Sequence, residues 1–392
     1  MSRDDGTIKR LTESLLKSPL FNLSLGSKEL FHSDFLAWFC TEYRSQASTL
    51  FKEFVSGESL CIKERGVLRE RNHQDLRIQF EGGQTLVVEN KVKSIPNEGQ
   101  LDEYSKRYSN DPKMAFLLLS LVRPSFGLIS GETLELPSGR NWRYMDYASL
   151  ARGLEKLIAS VEGSTLYHGE LLKDYVSFIT NLDRLVKSCQ VNMSDTNGNF
   201  FSFNNYLPSV AEARVHDVIQ KIIYEDLAQA VCLSLRKKQL TVRPLSSLAE
   251  LPLGELGINT GYSNGTAMFS LYMTMEKVPL LDTPPNLLLQ VQGNMFRLFF
   301  CLKDRLVVER IAEELVKNDL WFNFEHLAGV PLIERKRKEL HFNNFNGTDL
   351  YRYRIIGSVS PNELVNTIVR YAELMQNKRR DIERVIAQHV RT

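Results

Sequence analysis

The sequence predicts an α/β chain built as two domains, and three observations carry that prediction. β-type and helical patterns alternate through the first half, with a hairpin signal at 74–92. The block from Met114 to Val122 is continuously apolar, as a central strand buried on both faces should be. From Gln190 to Tyr206 the chain turns rich in Asn, Ser, Asp and Gly, and a different mixture of helix and strand follows. At 392 residues each half is long enough to bury a core of its own. The expected division is 1–190 as an α/β domain, 191–206 as a linker, and 207–392 as an α+β domain.

In the first half, residues 8–45 carry helical periodicity, with Leu30, Phe31, Phe35, Leu36, Trp38 and Phe39 as apolar positions. Residues 58–66 alternate as a strand, and the strand pair 74–80 and 85–92 follows. A turn around Pro96 leads into a helix reaching Tyr108, and then comes the buried strand at 114–121. After a Pro/Gly-punctuated loop at 124–139, Trp142 to Met145 reads as a strand. Asp146 caps a helix to Ile158, and a long helix spans 166–188. In the second half a helix is expected over 209–237, with strands at 239–243, 257–262, 267–276, 286–302 and 351–356. A helix is expected at 305–319. Ser360-Pro361-Asn362-Glu363 is a helix start, with Ser as cap, Pro at the first position and Glu closing a capping box.

Composition narrows the function. Net charge is only +2, so any nucleic-acid affinity must come from local patches. No apolar run is long enough to span a bilayer, and Met1 to Asp5 opens no apolar signal region. The five cysteines are scattered without a Cys-x-x-Cys pair, which points away from disulfides and structural zinc. A cytoplasmic setting without membrane contact is expected. The chain has no Gly-x-x-x-x-Gly-Lys-Ser/Thr phosphate loop.

The hairpin holds the chemistry. Leu76, Ile78 and Phe80 alternate on its first strand. Its second strand starts apolar and then turns charged, with Glu89 and Lys91 two apart and so on one face. Asp75 begins the partner strand and can sit beside them. Buried charges cost several kcal/mol each unless they are paired or bind a metal. Two converging carboxylates make a hard-oxygen site suited to Mg²⁺. The alternative is a surface hairpin with incidental charges.

Asp75…Glu89-x-Lys91 on a hairpin resembles the PD-(D/E)XK nuclease superfamily, with Gln74 standing where the family carries proline. Glu29-x-x-His32-Ser33…Leu36-Ala37-Trp38 is similar to the first-helix motif of one uncharacterised branch. Gln100-x-x-x-Tyr104 resembles the extra motif of its exonuclease-type branch. The resemblance covers roughly residues 20–150. It implies a PD-(D/E)XK nuclease-like core, an α-β-β-β-α-β mixed sheet, and a metal-dependent deoxyribonuclease. Asp75, Glu89 and the Asn90 carbonyl would ligate Mg²⁺, for which Mn²⁺ can substitute. Lys91 would steady the water or the transition state. Glu29 would face the metal from across the sheet, and Gln100 and Tyr104 would position the substrate backbone. The partner implied is nucleic acid, DNA ahead of RNA, in prokaryotic antiviral defence, restriction or repair. A non-catalytic nucleic-acid-binding or sensing protein on the same fold is the alternative.

Other residues keep two readings. Glu29 can equally cap its own helix, His32 suits a structural hydrogen bond, and Gln100 and Tyr104 share a helix face by spacing alone. Arg65, Arg69 and Arg71 are phosphate contacts at a cleft mouth or a solvated loop. Arg335 to Lys338, Lys378 to Arg380, and Arg352 with Arg354 opposite Tyr351 and Tyr353 are phosphate contacts or solvated faces. The second domain, which resembles no family, is expected to present substrate, bind a partner protein or form a homo-oligomer. Loss of Asp75 or Glu89 is expected to relieve carboxylate repulsion and leave stability unchanged or raised.

Overall fold

The structure, a computed structural model, describes residues 5–25, 28–57, 60–71, 74–92, 94–108, 111–124, 128–130, 132–205, 207–245, 251–278, 281–303, 305–333, 341–346 and 348–390. It is a mixed α/β protein with two seven-stranded mixed sheets. No described helix is long and apolar enough to cross a membrane. The chain divides into two compact units, one of 1–189 with 206–219 and one of 190–205 with 220–392.

The first unit opens with helices α1 (Asp5–Lys17), α2 (Pro19–Ser24), α3 (Lys28–Glu42) and α4 (Arg44–Phe51). Strands β1 (Ile62–Arg71), β2 (Gln74–Phe80) and β3 (Thr85–Lys91) form an antiparallel meander. Helix α5 (Glu98–Arg107) then crosses over to β4 (Met114–Ser120), which runs parallel to β3. The punctuated loop contains two short strands that its Pro and Gly residues concealed, β5 (Leu128–Ser130) and β6 (Thr133–Glu135). Strand β7 (Asn141–Asp146) pairs parallel to β4, giving the sheet order β1-β2-β3-β4-β7-β6-β5. Asp146 caps α6 (Tyr147–Glu155) by accepting the Ser149 amide at 2.7 Å. Helices α7 (Ile158–Glu162) and α8 (Leu166–Cys189) follow.

The two sheet faces are covered differently. Val87, Phe116, Leu118 and Trp142 share one face, where they pack with Leu101 and Tyr104 of α5. The Trp142 indole N–H donates to Ser105 Oγ of α5 at 2.8 Å, fixing that helix on the sheet. The opposite face meets α3 and α6: Ser33 and Tyr147 both bond the Asn90 side chain. Phe35 of α3 stacks on Tyr175 of α8 with centroids 3.8 Å apart.

The second unit holds β8 (Val242–Pro244), β9 (Leu256–Ser263), β10 (Thr266–Thr274), β11 (Asn286–Gln292), β12 (Met295–Cys301), β13 (Asn343–Phe345) and β14 (Asp349–Ile355). Their order is β13-β14-β12-β11-β10-β9-β8. The run expected as one strand at 286–302 is two, split at Gly293, whose φ of +55° is a glycine conformation that reverses the chain. The helix expected at 209–237 is also two. α9 (Leu207–Glu212) and α10 (His216–Lys237) are separated where Arg214 takes a φ of +51°. α9 and the first turn of α10 belong to the first unit, and the rest of α10, with α11 (Arg305–Lys317) and α12 (Pro361–Val390), completes the second. Ser360 Oγ caps α12 by accepting the Glu363 amide at 3.1 Å, while the Glu363 carboxylate bonds Arg370.

The expected linker is not a tether. Phe200, Phe201 and Phe203 are buried, the Phe200 amide donates to the Val359 carbonyl at 2.7 Å, and the Asn362 amide donates to the Asp195 carbonyl at 3.1 Å. Residues 190–205 therefore belong to the second unit, and 206–219 return to the first.

Candidate active site

The β2–β3 register sets the geometry. Leu76 lies opposite Val88, which puts Asp75 opposite Glu89 one step along the antiparallel ladder. Directly opposed residues hold their Cβ atoms about 4.5–5.5 Å apart on one face. Asp75, Glu89 and Lys91 thus share the face that α5 covers. Glu89 is 1% exposed and Lys91 8%, and their charged groups meet at 2.8 Å. One Asp75 oxygen accepts the Asn90 amide at 2.7 Å. In an extended strand the C=O of a residue leaves on the same side as its N–H. The Asn90 carbonyl is therefore directed toward the Asp75 side of β3, while the Lys91 carbonyl turns to β4 and accepts from Leu121.

Helix α5 brings the second motif to this cluster. Asn97 caps it by accepting the Gln100 amide at 2.9 Å, and the Gln100 side-chain amide donates to the Tyr104 hydroxyl at 2.9 Å. Burial, and then the Glu89 charge, raise the Tyr104 pKa; Lys91 lowers it and Asp75 adds to the rise. Tyr104 therefore sits in the combined field of all three charged residues.

Glu29 is in the first turn of α3, but its side chain lies outside the described residues. Its helix packs on the face opposite Glu89 and Lys91. The neighbouring motif residues support the site from behind. Ser33 accepts from the Asn90 amide group at 3.2 Å, and the Tyr147 hydroxyl donates to its oxygen. His32 is buried and bonded to the Tyr175 hydroxyl at 2.9 Å, the structural role its spacing allowed.

Burial pushes the His32 pKa down to about 3 from the ordinary 6.5. Between those values only the unfolded chain takes up the proton, so stability is fully present above 6.5 and falls with decreasing pH. The expected slope from His32 is about 1.4 kcal/mol per pH unit. His32→Asn should flatten that part of the curve in urea unfolding followed across pH. An unchanged slope would reject the assignment.

The basic cluster is split. Arg65 lies at a bulge near the far end of the hairpin, beside a shallow cleft with Lys63, Glu64 and Glu81. Arg69 pairs opposite Leu76 on the α3 face and is ion-paired with Asp34. Neither reaches the carboxylate face, and the Arg71 side chain lies outside the described residues. Arg77 is the residue the sequence reading passed over. It is two positions from Asp75, hence on the same face, with its guanidinium 5.9 Å from the Tyr108 ring centroid. Strand alternation alone identifies it.

Among the described residues no group of three or more His, Cys, Asp and Glu side chains comes together. The donors available to a cation are two carboxylates and a carbonyl, a hard-oxygen set. Comparison with protein-family models, with curated proteins and with solved structures finds no match.

Proposed function

We propose that the protein is a metal-dependent nuclease that hydrolyses phosphodiester bonds in DNA, with Mg²⁺ or Mn²⁺ as cofactor. The observation that carries this reading is the placement of Asp75 opposite Glu89, with Lys91 on the same face and Tyr104 in their field. The oxygen donors fit a hard cation. Asp75, Glu89 and the Asn90 carbonyl would hold the ion, which supplies Lewis acidity toward phosphate and water when bound. Lys91 orients the attacking water and offsets charge on the phosphate. Gln100 and Tyr104 hold the scissile strand in place.

The order of a helix, an antiparallel three-strand meander, a crossover helix and a parallel strand supports a PD-(D/E)XK-like core. Supercoiled, linear and single-stranded DNA, with RNA alongside, provide the test. DNA should be cut with Mg²⁺ or Mn²⁺ and left intact in excess chelator. Cleavage that persists in chelator overturns the reading.

A second reading, nucleic-acid binding or sensing without catalysis, draws on one observation. Glu89 is already paired with Lys91, and Asp75 with the Asn90 amide. Metal-independent binding with no cleavage under any condition selects it.

Gln100→Ala and Tyr104→Phe each remove one neutral hydrogen-bonding group from a positioning pair. Each should lower kcat/KM about two- to tenfold, the worth of a single such bond. A loss as large as that of Lys91→Ala would make Tyr104 a participant in the chemistry.

A further inference from the structure

The second sheet ends toward one edge in Tyr351-Arg352-Tyr353-Arg354 on β14. Alternation sends both arginines to one face and both tyrosines to the other. Arg352 pairs opposite Leu298 and Arg354 opposite Phe296, whose ring packs on Tyr371 of α12 at 5.1 Å. The arginines therefore share the helix-covered face. Beyond the end of α11 they line an open cleft of about 470 Å³ with Trp321, Phe322, Phe324 and Leu332. That volume falls in the range of small-molecule sites, about 300–1,000 Å³.

The cleft has the chemistry of an anion site with an apolar wall. Two guanidiniums two residues apart on one face repel each other. Burial, and then the Arg354 charge, press the Arg352 pKa below its ordinary value. The Arg352 Nε is buried and meets no hydrogen-bond partner among the described residues. Each guanidinium lies over a ring, Arg352 at 4.6 Å from Phe342 and Arg354 at 5.5 Å from Phe324. Two carboxylates also line the space. Asp319 is engaged by the Asn323 amide, and Glu325 is exposed. Phe322 is held at a φ of +64°, a conformation that bulky residues keep only where their surroundings over-determine it. Its ring is packed edge-on against Phe342 at 5.0 Å. Leu332 remains 43% exposed and forms an apolar lip.

Paired guanidinium forks match the geometry and double charge of a phosphate better than a lone carboxylate. We propose that this cleft binds the phosphate of a nucleotide between Arg352 and Arg354, with the base against Phe324 and Leu332. The ligand is either a free mononucleotide or the terminal nucleotide of a strand. The site shares no residue with the Asp75–Glu89 cluster and stands without the nuclease reading.

Calorimetric titration of the full chain in chelator, with AMP, adenosine and inorganic phosphate, tests it. AMP should bind saturably and adenosine at least tenfold more weakly. Arg352→Ala and Arg354→Ala should each weaken AMP roughly ten- to hundredfold, the worth of a charge-assisted contact. Arg352→Lys, which keeps the charge and loses the fork, should fall between. Glu89→Gln should bind AMP as the parent does. An oligonucleotide with and without a terminal phosphate separates the sources: a phosphate-dependent gain over AMP assigns the strand end, and none assigns the free nucleotide. The proposal fails if the parent chain shows no saturable AMP binding or takes adenosine equally well. Both results are read without any variant. It also fails if a folded Arg352→Ala/Arg354→Ala chain binds AMP with parental affinity.

Discussion

Glu89→Gln should abolish the proposed DNA cleavage, with an expected loss of about 10³-fold or more, or roughly 4 kcal/mol of transition-state stabilisation. The change keeps the shape of the side chain and removes the charge that a divalent cation needs. Asp75→Asn should act in the same direction. Lys91→Ala should lower turnover about 10²- to 10³-fold, the usual effect of deleting one preorganised charge contact. The same residues also carry stability. Glu89 and Lys91 form a buried ion pair at 2.8 Å, with exposures of 1% and 8%. Removing one member of such a pair typically costs about 3–5 kcal/mol. Relief of carboxylate repulsion, the expectation drawn from sequence, is smaller than this loss, so Glu89→Ala and Lys91→Ala should both melt below the parent. Joint replacement by apolar residues of similar volume should recover most of the lost stability and none of the activity. A double-mutant cycle in urea, run beside the cleavage assay, separates the two roles. Additive stability losses would show that the two charges are uncoupled, and cleavage by Glu89→Gln at the parental rate would end the catalytic assignment.

Much of this site was legible in the sequence because it is local. The turn after Phe80 and the two-residue alternation fixed the faces of Asp75, Glu89 and Lys91, and the i, i+4 spacing put Gln100 and Tyr104 on one helix face. Non-local relations were not legible. Nothing near Ser33 announces that its hydroxyl holds Asn90, 57 residues away. Arg69 looks like a phosphate contact until the fold sets Asp34 beside it. The split at Gly293-Asn294 was readable, since Gly-Asn between alternating apolar runs is a hairpin signal. The length of the apolar run hid it. The polar segment before Tyr206 misled for a physical reason. Its Asn and Asp residues build turns: Asp195 accepts from the amides of Asn197 and Gly198, and Asn199 from that of Phe201. Such turns have linker composition and compact structure at once. The contrary signal was Phe200-Phe201-x-Phe203, too aromatic for a solvated tether.

Phe200→Ala should therefore destabilise the second unit by about 3–5 kcal/mol, as truncating a fully buried aromatic does. Phe200 is 0% exposed. Its ring meets Phe201, Phe203 and Tyr224 edge-on at 5.1, 5.9 and 5.8 Å. Each edge-to-face pair adds about 0.5–1.5 kcal/mol beyond the area buried. Tyr224 cannot move into the space without leaving its own contact, because its hydroxyl donates to the Gly293 carbonyl at 3.1 Å. The loss should appear as faster amide exchange in β11 and β12, with the protection of β3 and β4 unchanged. Limited proteolysis should spare 190–205 in the parent chain and cut there in the variant. If Phe200→Ala unfolds within about 0.5 kcal/mol of the parent, the range of a neutral surface change, the segment is a tether after all.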